Sequence, residues 1–311
     1  LVHGDDDMLN YVIAVSDVPG VQLNRLLIDG ADAVIATTTP HADYGQRIEG
    51  VFRRERENQL ALDEDGYPTI TSGFDDHAWI KWYDGSQTVA DPMLLDRYSG
   101  DVDFPWSADM IGRDLCYAIL TFKYNHDIFE TGKPACRFEV SGIPLYDPRK
   151  DSTVGGSGAH RWGNRATWEP SNNPMVQCYN ILRGIRITSE ITWGGNRTAA
   201  QLPLGTWFAA MNACDVLVTN ANSTTEAKYR SGIEVFLSDE PAQVLTELGK
   251  ACSAEFANVG GTWFVNVGAP PLPTFFFNDE NIVYDEDYTT ELMNGDLSDV
   301  YNAAIVTFPS P

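Results

Sequence analysis

Between Asn10 and Ile143 the apolar residues come only in short, often alternating runs, cut every few positions by Gly, Pro, Asp or Asn. Alternation places successive side chains on opposite faces of an extended chain, and the interruptions supply turns. The pattern predicts strands over Tyr11–Val15, Arg25–Ile28, Ala33–Thr37, Trp79–Tyr83, Tyr117–Tyr124 and Arg137–Val140. Asp84-Gly85, directly after the fourth run, tolerates the positive backbone angles of a tight turn. Residues 1–150 therefore read as a β-rich domain.

The punctuation changes after Pro148. Gly155, Gly156 and Gly158 fall in a loop-like stretch that ends near Pro170, a natural place for a domain boundary. This stretch has neither the lysine of a phosphate-binding loop nor the glycine spacing of a dinucleotide fold. Helical text follows. Asn173 is placed to cap a helix over Met175–Arg183, with Pro174 in its first turn and Gly184 at its end. A second helix is expected over Thr206–Cys214. A third is expected over Asp239–Ala254, capped by Ser238 or Asp239, with Pro241 in the first turn and Val244, Leu245, Leu248, Ala251 and Cys252 on one face. Gly260-Gly261 then joins Glu255–Val259 to Thr262–Val267 as a hairpin. The expected fold class is α+β, with the β-rich domain followed by a helix-containing α+β domain over 151–272. Strand-like runs at Thr274–Phe277 and Ala303–Phe308 suggest that 273–311 rejoins a β domain. At 311 residues the chain exceeds the size at which one core usually keeps growing. Its opening on Leu1 without a methionine and its stop just after a strand-like run suggest a fragment or a processed chain.

Charge and side-chain chemistry narrow the function. The formal net charge is -23, from 44 acidic and 21 basic residues, so the surface as a whole repels nucleic-acid phosphate. Cys116, Cys136, Cys178, Cys214 and Cys252 are odd in number, widely spaced and set among apolar neighbours, as buried thiols are rather than a disulfide framework or a zinc knuckle. His3, His41, His77, His126 and His160 contain no H-x-x-x-H pair. Acidic clusters at Asp5–Asp7, Asp63–Asp65, Asp75-Asp76 and Asp285–Asp287 read as solvated turns, and Asp63-Glu-Asp-Gly66 lacks most of a calcium loop. Trp162, Trp168 and Trp193 lie in loop-like text, where they either bury apolar area or stack on sugars.

Three segments, in this order, resemble the tail-tip hub proteins of long-tailed phages and gene transfer agents. The first is Asn10 to Gly20 with Leu26 to Gly30. The second runs from Thr131-Gly-Lys-Pro134 through Phe138 to Gly142 and Leu145-Tyr-Asp-Pro-Arg149, followed by Thr167-Trp168 and Asn173-Pro174. The third comprises Ala209 to Asp215, Tyr229 to Gly232, the Pro241 to Cys252 helix, and Gly260-Gly-Thr-Trp263 to Gly268. The resemblance implies a structural virion protein rather than an enzyme, with no catalytic residue, cofactor or metal. Pro134, Gly142, Tyr146, Asp147, Pro148, Arg149, Trp168, Asn173, Pro174 and Trp263 would be its structural signature. It further implies a tail-tube-like β domain and a homotrimeric ring. That ring would join the tail tube and distal tail protein to tip or fibre proteins, and tape-measure protein and DNA would pass through it in transit. Excess acid along its lumen would keep phosphates from sticking. The virion tail tip would be its location, after the host cytoplasm before assembly. Host-surface contact would fall to regions outside this chain. Two other readings remain open on the residues alone: a tail-borne cell-wall hydrolase, and a receptor- or glycan-binding module.

Overall fold

The alternating runs of the first half fold into one nine-stranded, wholly antiparallel sheet. Its strands are β1 (Val2–Asp5), β2 (Met8–Ser16), β3 (Leu23–Ile28), β4 (Ala31–Ile35), β5 (Gln46–Phe52), β6 (Ile70–Ser72), β7 (Ala78–Asp84), β8 (Cys116–Lys123) and β9 (Cys136–Val140). The spatial order is β1-β2-β8-β7-β5-β4-β3-β9, with β6 added to β5. The computed structural model describes residues 2–5, 8–52, 70–72, 74, 76–125, 128–129, 133–187, 192–221 and 223–268, with backbone alone for 2–5 and 70–72. All of these lie within one compact unit, Leu1–Ala269.

Strand β8 explains the shape of this sheet. It is apolar at nearly every position because both of its faces are covered. Leu120 and Phe122 point into a core with Tyr11, Leu26, Ile28, Ile48 and Ile80. Tyr117 and Ile119, one residue out of phase, pack under helix α1 (Pro92–Tyr98) against Met93, Leu94 and Tyr98. A strand buried on both sides has no solvent-facing period, so it reads as a continuous apolar run. Asp91 holds α1 in place: its carboxylate caps Leu94 N at 2.9 Å and also receives Lys81 Nζ at 2.6 Å and Tyr83 Oη at 2.5 Å.

After β9 come β10 (Pro144–Leu145), β11 (Glu169–Pro170), α2 (Pro174–Arg183), β12 (Ile185–Arg186), β13 (Thr192–Trp193), α3 (Leu204–Cys214), β14 (Leu217–Thr219), β15 (Thr225–Ala227), α4 (Pro241–Ala251), β16 (Ala254–Val259) and β17 (Thr262–Val267). The fold is thus α+β and rich in strands. Helices α2, α3 and α4 share a core of Met175, Tyr179, Leu182, Trp207, Met211, Leu245 and Leu248, and β16–β17 packs beside it. All its members follow Gly142, whereas the two sheet cores draw only on residues before Ser141.

Several expectations are corrected. Helix α1 and strands β1, β5 and β6 interrupt or extend a stretch read as six strands. Helix α4 starts later than expected. Glu240 occupies the cap position, while Asp239 instead accepts Phe236 N at 2.8 Å. Ala251 is exposed, leaving Val244, Leu245, Leu248 and Cys252 as the buried stripe. Of the cysteines, Cys136 is only half-buried; the other four are buried, and all five are free thiols. The runs at Thr274–Phe277 and Ala303–Phe308, the Asp63–Gly66 turn, and the side chains of Asp5–Asp7 lie outside the described residues. None of the described helices is long and apolar enough to cross a membrane.

Leu120 is fully buried at the centre of the sheet. Leu120→Ala is expected to lower the unfolding free energy by about 2–5 kcal/mol, the transfer loss plus a cavity term. The urea midpoint, at unchanged slope, reads this out. Tyr124→Ala, at an exposed position just past the strand, is the control and shifts it by less than about 0.5 kcal/mol.

Candidate functional site

Seven of the ten signature residues, Tyr146 to Arg149 with Trp168, Asn173 and Pro174, gather at the loop between β10 and α2. Pro148 disfavours helical backbone in Asp147, which is extended (φ -105°, ψ 110°) and caps the short 3-10 turn Pro148–Lys150 by accepting Arg149 N at 2.9 Å. Arg149 then folds back on Asp147 with a two-pronged contact (3.1 and 2.7 Å) and spans to Asp215 at 2.7 Å and Asn212 Oδ1 at 2.9 Å. Asp215 ends α3, so the guanidinium fastens the loop to that helix's C-terminus, where a cation is favoured. Burial opposes the Arg149 charge, but the two carboxylates outweigh it and hold its pKa above the ordinary arginine value.

Asp151 closes the loop. It is 2% exposed and accepts Tyr146 Oη at 2.7 Å, Thr153 N at 2.8 Å, Thr153 Oγ1 at 2.6 Å and Arg161 at 3.1 Å. Burial alone would raise its pKa; these donors and the Arg161 charge reverse the direction and hold it low. The same bond and burial push the Tyr146 phenol up. Ser157 N and His160 N bond back to the carbonyls of Arg149 and Lys150. Gly156 passes so close that a Cβ there would stand 2.3 Å from the Arg149 carbonyl oxygen. The glycine-rich stretch is therefore a loop wound against itself, not an extended tether.

Helix α2 reads the loop's backbone. Asn180, 1% exposed, accepts Tyr146 N at 3.0 Å and donates to Tyr146 O at 2.8 Å, so a side-chain amide completes a strand-like pairing in the core. Asn173 caps α2 by accepting Met175 N and Val176 N, and its Nδ2 donates to Met211 O at 2.9 Å, tying α2 to α3. Around Tyr146 lie Trp162 (ring centroids 5.4 Å), Trp168 (5.9 Å) and Tyr179 (6.3 Å). Trp168 Nε1 donates to Arg161 O, and Arg183 lies 3.9 Å over the Trp162 ring. A cavity of about 410 Å³ opens beside these groups, lined by Tyr146, Asp151, Arg161, Trp162, Tyr179 and Arg183 among others.

The structure brings together Tyr146, Asp147, Pro148, Arg149, Trp168, Asn173 and Pro174. It leaves Pro134 before β9 and Gly142 (φ +75°) in the turn after β9. Trp263 sits on β17, where its carbonyl receives Trp207 Nε1 at 3.0 Å. Trp193, 9% exposed, donates to Asp239 O. The sequence pattern assigns no individual role to Asp151, His160, Asn180, Asp215 or Arg183. The Asp-Ser-Thr spacing signals the Asp151 turn, but nothing local marks a mid-helix asparagine that serves a distant backbone. Hydrolysis by paired carboxyls needs two facing groups. Among the described residues the cavity presents only Asp151, already engaged by its donors. No cluster of three metal-ligating side chains occurs among the described residues. No protein-family model matches the chain, and no curated protein matches it.

Two outcomes follow from this bonding. Asn173→Ala is expected to cost about 1–3 kcal/mol, the cap loss plus one of the two hydrogen bonds that the Met211 carbonyl accepts, the other coming from Asp215 N, measured by urea denaturation. The second concerns acid. His160 Nδ1 accepts Asp147 N at 3.1 Å, and burial lowers the ring's pKa below 6.5. As pH falls below 6.5 the unfolded chain takes up a proton that the folded chain refuses, so stability drops through that range. Further loss follows as pH falls through the lowered range of Asp151. His160→Asn is expected to flatten the first step, leaving the second, in urea midpoints measured from pH 7 downward.

Proposed function

We propose that this chain is a structural virion protein, the central hub of a phage or gene-transfer-agent tail tip. The observation that carries this reading is the state of the Tyr146–Arg149 segment. Its backbone and side chains are spent on internal bonds to Asn180, Asp151, His160, Asn212 and Asp215, so the most family-like part of the chain is a brace. Braces of this kind suit a protein that must hold its shape under load while other molecules pass. The antiparallel sheet adds a second support. Among the described residues it ends in β1 on one side and β9 on the other, and a strand at a sheet edge can pair with another chain. On this reading three copies close a ring with a tail-tube-like β layer. The ring connects the tail tube and distal tail protein to the tip or fibre proteins, and tape-measure protein and DNA move through it. Localisation is the virion tail tip, after the host cytoplasm before assembly.

The loop tryptophans lend the hydrolase and glycan-binding alternatives no support. Trp162 is engaged by Arg183 and by Trp168 at 5.3 Å, and Trp193 is buried. The test is the mass of the purified chain in solution together with electron microscopy of assembled particles. A trimeric ring at the tail tip is expected. A strictly monomeric chain absent from particles would defeat the proposal.

A further inference from the structure

The basic residues of this very acidic chain are unevenly spread. Between Asp147 and Arg197 seven basic residues face four acidic ones, against an overall charge of -23. Most of the loop's cations have anions: Arg149 has Asp147 and Asp215, Arg161 has Asp151, and Lys150 has Glu169. Arg165, Arg183, Arg186 and Arg197 have no such ion pair among the described residues, and of these four Arg183, in the last turn of α2, is the one that lines a cavity. No carboxylate among the described residues pairs with it. Its guanidinium rests on the Trp162 ring, one amino group reaches Tyr179 Oη at 3.3 Å, and its Nε is buried with no acceptor. An aromatic face stabilises a cation but does not accept an in-plane N–H, so this donor set is incomplete.

The 410 Å³ cavity lies against this guanidinium, with Tyr146, Trp162, Tyr179 and Leu204 as apolar walls. Val154, 41% exposed, and the half-exposed Arg161 side chain stand at its rim. A fitting occupant carries an anion for Arg183 and apolar flanks for the rings. The rest of the chain is rich in such groups. In the loop between α1 and β8, Val102 is 94% exposed and Asp103 beside it is exposed too. A locally basic cavity and an exposed acidic surface on one chain give two copies complementary patches.

We infer that the Arg183 cavity receives a carboxylate side chain of a second copy of this chain, making a head-to-tail contact. Such a contact joins two different patches, so it propagates and closes into a ring when the rotation allows. The inference deepens the hub reading and rests on its ring.

The full-length purified chain tests it. In analytical ultracentrifugation the parent chain and Arg183→Lys are expected to associate, and added salt to weaken that association. Arg183→Glu should raise the dissociation constant about tenfold or more, because it sets like charges together in a half-buried site. The Arg183→Lys chain also permits carbodiimide coupling, which joins an amine to a neighbouring carboxylate. In mixtures of isotopically labelled and unlabelled chains the introduced amine should couple to an acidic residue of the other copy. Association that Arg183→Glu leaves untouched, or coupling from position 183 only within one chain, overturns the inference while the ring survives. A parent chain that stays monomeric at every concentration defeats the ring itself. Should Arg183→Glu fail to fold, the coupling experiment on Arg183→Lys still decides.

Discussion

A carboxylate leaves water only if other donors replace its hydration, and Asp151 is where this chain meets that requirement most completely. The Tyr146 hydroxyl, both donors of Thr153 and the Arg161 guanidinium surround it, coming from three points of one loop. Each of these groups must therefore occupy one position for the ion to be tolerated. The consequences spread outward: Tyr146, once fixed, sets the ring cluster with Trp162 and Trp168, and Tyr146 and Trp162 form part of the wall of the cavity. Removing one donor would leave the remaining charge under-solvated, so the loop has little freedom to adopt a second arrangement.

The sheet uses the same device in miniature. Asp91, 1% exposed, caps α1 while gathering Lys81 and Tyr83 from β7, which positions the helix over Tyr117 and Ile119 of β8. Beside it, buried Asn10 donates to Tyr98 Oη and accepts Thr121 Oγ1, linking β2, β8 and α1 through one amide. In both halves the apolar cores supply most of the favourable burial. The buried polar groups select which of many packings is adopted.

What could be read in the residues follows from this division. Strand positions in the first half and the start of α2 were legible because alternation, proline and an asparagine cap act within a few residues of chain. Helix α1 carries a cap-and-first-turn signal in Asp91-Pro92, but seven residues in strand-like surroundings show too little periodicity to read as a helix. The cap of α4 is not fixed locally, since Ser238 and Asp239 are better capping residues than Glu240 yet Phe236 N claims the Asp239 carboxylate. In the loop, Tyr146 to Arg149 stood out as a pattern. Its partners Asn180, Asp215 and His160 did not, since they lie 13 or more residues from the groups they serve and nothing in their neighbours predicts the meeting.

Arg149 and Arg183 show how much the second kind of information matters. Both are arginines at the edge of the same core, and composition cannot tell them apart. Arg149 spends its donors on two carboxylates and an asparagine oxygen, so its charge is balanced and its geometry rigid. Arg183 is held by a ring and a hydroxyl, with one buried N–H left over. Aromatic stacking orients a guanidinium without neutralising it. The first arrangement is the end of an argument about stability. The second leaves a directed charge, with no carboxylate partner among the described residues, at the wall of an open cavity, and its stacking on Trp162 keeps it there.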